Sequence, residues 1–140
     1  MITETLNEEL KKNPSIFFPY GKINRRVLNE ELQKYKFNFP RELIEFWINY
    51  GGGDLFGTET ILSPIPSENE FVYDIGNIND FRYKNGLDKR YIIFQENASE
   101  MTAFDKETNE IVVLNKDKCE IEERFENINK WFIYLWQLYR

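Results

Sequence analysis

The sequence predicts an α+β fold: one compact domain over residues 1–140, with N-terminal helices and a C-terminal helix flanking a sheet. Three observations predict it. Apolar residues recur at helical spacing through the first third of the chain, up to Gly51-Gly52-Gly53. Short β-branched and aromatic runs then follow one another, and a broad apolar helical face closes the chain. Helices, then strands, then a helix is not the alternation that a parallel sheet requires, and 140 residues leave no room for two well-packed cores.

Thr5 and Glu8 have the spacing of a capping box, with Leu6 and Leu10 on one face, and predict a first helix ending near Asn13-Pro14. Ile16 to Gly21 reads as an extended aromatic strip leading into a turn. From Asn24 to Lys36, Val27, Leu28, Leu32 and Tyr35 form the inward face of a second helix, with Arg25, Arg26, Glu30, Glu31 and Lys34 outside. Pro40 opens a third, whose buried stripe is Leu43, Ile44 and Trp47, and the triple glycine stops it. Asp54 to Leu62 reads as a turn and a first strand, bounded by Pro64 and Pro66. A short helix over 77–84 closes at Asn85-Gly86, and Tyr91 to Gln95 has the composition of a buried strand. Met101–Asp105 and Glu110–Asn115 flank a polar hairpin turn, and an edge strand is expected near Cys119–Glu122. Asn127 caps the last helix, whose apolar face is Ile128, Trp131, Phe132, Leu135 and Tyr139.

Composition narrows the function. The net charge of −6 repels phosphate backbones, so no nucleic-acid partner is expected; it is also simply the charge of a soluble acidic protein, or of one that meets a basic partner. A single cysteine, Cys119, excludes an internal disulfide and a thiolate metal cluster, and the chain has no histidine to activate that thiol. The N-terminus lacks the basic and apolar regions of a signal peptide, and the longest apolar run, Trp131 to Trp136, is too short for a bilayer. The expected compartment is the cytoplasm, with no membrane partner.

A search for catalytic chemistry comes back negative. Gly51-Gly52-Gly53 follows a helix and leads into Asp54-Leu55, where a phosphate loop needs lysine and Ser or Thr. Asp105 to Glu110 starts like a calcium loop, but Glu110 and Lys116 occupy the positions that need glycine and a bidentate glutamate. Nothing in the sequence fixes the separation of Glu96, Glu100 and Asp105 or buries one of them for acid–base work. Histidine-dependent zinc, serine and cysteine mechanisms are lost outright. Trp47, Trp131 and Trp136 sit at helical spacing and read as core. No catalytic residue, metal ligand or cofactor is expected, and the chain reads as a binding protein rather than an enzyme.

Phe39-Pro40-Arg41-Glu42-Leu43-Ile44-Glu45-Phe46-Trp47-Ile48-Asn49-Tyr50-Gly51-Gly52-Gly53 resembles the signature of the SUKH superfamily, in which a Leu-Pro or Ile-Pro step, a helix and an Asn-Gly-Gly-like turn follow a first helix. Phe39-Pro40 stands in for that step, and Tyr50-Gly51-Gly52 departs from the Asn-Gly-Gly. Asp54 to Leu62 is similar to the family's first strand. Tyr91-Ile92-Ile93-Phe94 and Met101-Thr102-Ala103-Phe104-Asp105 are similar to its central strands, the second ending in aspartate before a turn. The resemblance runs from about Ile23 to the end. It implies a mixed, mainly antiparallel sheet and no catalytic site. It also implies a role as a bacterial immunity protein that neutralises a cognate toxin, often a nuclease or deaminase, by protein contact. The alternative it leaves open is a regulatory scaffold module that binds a host protein.

Under that reading the expected partner-binding residues are acids and aromatics exposed on loops between strands: Asp54, Glu59, Glu68, Glu70, Tyr73, Asp74 and Asp80. The stretch from Ser67 to Asp74 is the strongest candidate, because it sets three acids beside Phe71 and Tyr73 without a core pattern, as an anchor with a charged rim does. A basic toxin would meet carboxylates in place of substrate phosphates, and binding would weaken with salt.

Overall fold

A computed structural model of the protein describes residues 2–139. These residues form five α-helices and a seven-stranded sheet: α1 (Ile2–Lys12), β1 (Phe17–Pro19), α2 (Arg25–Leu32), α3 (Arg41–Tyr50), β2 (Gly53–Leu55), β3 (Glu59–Ile61), α4 (Ile75–Lys84), β4 (Tyr91–Glu96), β5 (Glu100–Asp105), β6 (Ile111–Asn115), β7 (Ile121–Phe125) and α5 (Ile128–Leu138). The strands lie side by side in chain order, and all six pairings are antiparallel. Parallel pairing among the described residues is confined to an isolated bridge between Ser63 and Asp74.

The helices follow local chemistry. Asn24 caps α2 by accepting from the Arg26 and Val27 N–H groups. Pro40, extended, leads α3 in, and Gly51 ends it at φ 73°, its N–H donating to the Trp47 carbonyl. The glycine run is steric as well as conformational: a Cβ on Gly51 would lie 2.0 Å from the Gly21 carbonyl oxygen, and one on Gly53 2.3 Å from that of Phe18. Close passage of main chains explains the triplet without a phosphate.

Several expectations shift. Helix α1 begins at Ile2, so Thr5 and Glu8 lie inside it and cap nothing. Helix α2 stops at Leu32 and tightens into a 3-10 turn over Gln33–Tyr35. Its inward face is Leu28 and Leu32, while Val27, one residue round the helix, is 45% exposed. The buried stripe of α3 is Leu43, Phe46, Trp47 and Tyr50, with Ile44 half-buried at its margin. The stretch 54–62 makes two strands, β2 and β3, joined by a tight turn in which Phe56 (φ 57°) and Gly57 (φ 75°) are both left-handed. The edge strand begins at Ile121 and runs to Phe125.

The core is aromatic. Phe39 packs on Trp47 (5.4 Å between ring centres) and Phe104 (5.6 Å); Phe94 packs on Phe104 (4.6 Å) and Trp131 (5.1 Å), joining α3, the sheet and α5. Such pairs add about 0.5–1.5 kcal/mol each beyond their burial. Strands β4, β5 and β6 bury consecutive residues over Ile92–Gln95, Met101–Asp105 and Ile111–Leu114, so both faces of the sheet's centre are covered.

The buried carboxylate at the end of β5 is structural. Arg90 grips Asp105 through both oxygens, Nε to Oδ1 at 3.0 Å and an Nη to Oδ2 at 2.8 Å, and the Glu107 N–H donates to Oδ1 at 3.0 Å. Burial pushes the Asp105 carboxyl up, but the Arg90 guanidinium and these hydrogen bonds outweigh it and hold it below the usual range.

Candidate partner-binding surface

The segment between β3 and α4 is shaped by its own side chains. Main-chain bonds from Ser63 N–H to the Tyr73 carbonyl and from Ile75 N–H to the Ser63 carbonyl, both 2.8 Å, close its ends. Within it, Ser67 Oγ accepts from the Asn69 N–H at 3.1 Å and Asn69 Oδ1 from the Phe71 N–H at 2.9 Å, two successive polar turns. Asp74 anchors the whole: Oδ1 accepts from the Asn77 N–H (2.8 Å) as the cap of α4, and Oδ2 from Asn77 Nδ2 (2.9 Å) and the Ser67 N–H (3.3 Å).

This loop brings together three of the seven expected residues. Glu68 and Glu70 are exposed, Tyr73 is about half-exposed, and between them Phe71, at 76%, is the most exposed large apolar side chain among the described residues. Behind the loop lies Tyr20, whose phenol burial pushes up to about 12; the Tyr73 main chain opposes that shift and the Asp54 carboxylate adds to it.

Of the other four, Asp74 anchors the loop from its end and the rest lie elsewhere, and the expectation that they are exposed on loops is corrected for all four. Asp74 is buried because its oxygens are spent on the cap and on Ser67. Glu59 lies in β3 and is buried; burial pushes its carboxyl above the usual range, Glu100 adds to that, and Asn97 Nδ2, 3.1 Å from Oε1, opposes it. Asp54 is half-buried in β2 and accepts from Thr60 Oγ1 at 2.8 Å. Asp80 is exposed, but on α4, outside the loop. The sequence reading missed Ser67 and Asn69 as the residues that fix the loop. Their signal was present in the spacing, each polar side chain standing two residues before the N–H it accepts from.

A family model, SMI1 / KNR4 family (SUKH-1), matches residues 24–133, which takes in α2 through most of α5 and with them all seven expected residues. The chain belongs to the SMI1/KNR4 family. Domains of this SUKH-1 family are known as immunity proteins and regulators, are generally non-catalytic, and in their immunity role bind proteins. No curated protein matches the chain. Among the described residues, no helix is long and apolar enough to cross a membrane.

Proposed function

We propose that this SUKH-1 domain is a cytoplasmic immunity protein that binds a cognate toxin through the 67–73 loop and neutralises it by contact rather than catalysis. The observation that carries the reading is Phe71: a large aromatic side chain held out to solvent by a main chain fixed at Ser67, Asn69 and Asp74. An exposed aromatic costs free energy in water, and a fixed loop loses little entropy on binding, so Phe71 is suited to fill a pocket of a partner. Glu68 and Glu70 then supply an acidic rim for a basic surface.

The test is affinity capture from native cells with the wild-type protein, Phe71→Ala and Glu68→Lys/Glu70→Lys. A stoichiometric basic partner that is toxic when expressed alone, released by salt and not retained by either variant, supports the reading. A non-toxic housekeeping partner points to a regulatory scaffold, and retention of the toxin by both variants rejects the loop as the interface.

A further inference from the structure

A cleft of about 490 Å³ opens where the 37–40 link, the β5–β6 hairpin and the start of α5 converge. Phe37, Phe104, Ile111 and Ile128 give it an apolar lining. Phe37 stays half-buried and packs tilted on Phe104, with ring centres 5.2 Å apart. The polar lining is one-sided in charge: among the described residues Glu42 and Glu126 are its ionisable groups, and no lysine or arginine lines it.

The two carboxylates are not equivalent. Glu126 is paired with Lys130 at 2.5 Å, and hydrogen bonding to that ammonium draws its carboxyl below the usual range. Glu42 has no ion pair among the described residues and accepts from Asn129 Nδ2 at 3.3 Å. That bond orients the Asn129 amide and leaves Oδ1 buried with no donor. Asn38 stands exposed at the rim, and Asn109, left-handed at φ 61°, completes the mouth from the hairpin. An unpaired carboxylate and the exposed amide side chains of Asn38 and Asn109 beside an aromatic floor describe a receptor for a cationic group with several N–H donors. A guanidinium fits better than an ammonium, because its donors spread in a plane and it lies flat on aromatic rings.

We infer that this cleft is a binding site for an arginine side chain presented by a partner polypeptide, with Glu42 as its counter-ion. The inference draws on the partner-binding reading only for the source of the arginine; the cleft is remote in sequence from the 67–73 loop and is tested without a toxin.

The test is a titration of the isotope-labelled protein with the blocked tripeptide acetyl-Gly-Arg-Gly-amide, followed through amide resonances, beside the same peptide carrying citrulline. The expected result is saturable shifts at Asn38, Asn109 and Asn129 at millimolar arginine peptide, with citrulline about tenfold weaker, as loss of a charge-assisted hydrogen bond implies. Glu42→Gln, which keeps an acceptor for Asn129, is expected to weaken arginine binding about tenfold, and Asn38→Asp to strengthen it severalfold. Absence of shifts in the cleft, equal response to citrulline, or unchanged affinity in both folded variants overturns the inference. Phe71→Ala leaves the titration unchanged, so failure here is separate from failure of the loop.

Discussion

The Asn79 side chain acts as a strand partner for Ile93: Oδ1 accepts the Ile93 N–H at 2.8 Å and Nδ2 donates to the Ile93 carbonyl at 2.9 Å. Strand β3 pairs β4 only at Glu96 and Gln95, and the register between β4 and β5 shifts between Ile93 and Gln95. One buried amide from α4 takes over where β3 has ended, and its Nδ2 also reaches the Ile75 carbonyl at 2.8 Å. Asn79→Ala leaves a buried N–H and C=O without partners. It is expected to cost about 2–4 kcal/mol, read as a shift in the urea midpoint without loss of the fold.

Phe56 is left-handed in the tight turn between β2 and β3, and its ring packs on the end of the chain, stacked on Tyr139 at 4.3 Å and against Trp136 of α5 at 5.3 Å. Phe56→Ala loses the packing and keeps the backbone strain, whereas Phe56→Gly loses the packing and relieves it. Glycine is therefore expected to be the milder substitution by about 1 kcal/mol, reversing the usual order, and equal denaturation midpoints would refute the strain.

Asp105 and Glu59 give opposite pH dependences. The folded pKa of Asp105 lies below its ordinary 3.8, so its contribution is present above that pH and is lost as pH falls through the folded value. Asp105→Asn takes the buried carboxylate away from Arg90 and leaves that guanidinium only Glu107, 2.9 Å away; it is expected to lower the thermal midpoint at pH 7 and to flatten the acid limb of the stability profile.

For Glu59 the folded pKa lies above its ordinary 4.5. Its contribution is fully present below pH 4.5 and is lost as pH rises through the folded value, so the ionised form weakens the fold at neutral pH. Glu59→Gln is expected to raise the thermal midpoint at pH 7 and to remove the gain seen on acidification. A lower midpoint at pH 7 would show that the buried charge is compensated.

The three acids of the 67–74 segment separate just as cleanly. Glu68→Lys with Glu70→Lys changes only solvated groups and is expected to leave the thermal midpoint unchanged. Asp74→Ala removes the cap of α4 and the Ser67 anchor at a cost of about 1–2 kcal/mol, and loosens the loop. Charge at 68 and 70 reports on binding, whereas charge at 74 reports on folding.

The elements whose signals are local were legible in the sequence. Asn24, Gly51 and Asn127 end or start helices through bonds to their own neighbours, and the apolar runs of β4, β5 and β6 give buried strands. The order of the motifs, from Phe39-Pro40 and the triple glycine through Tyr91–Phe94 to Met101–Asp105, carried the resemblance to the family. What tertiary structure decided was the fate of the polar residues. Glu59 and Glu68 are the same residue type nine positions apart, yet the first is buried in β3 beside Asn97 and the second stands in water, because burial depends on which distant strand and helix cover a position. Asn79 as a strand substitute and Phe56 in a glycine conformation were hidden for the same reason. Each is held by contacts more than a dozen residues away, and one-dimensional spacing carries no information about those.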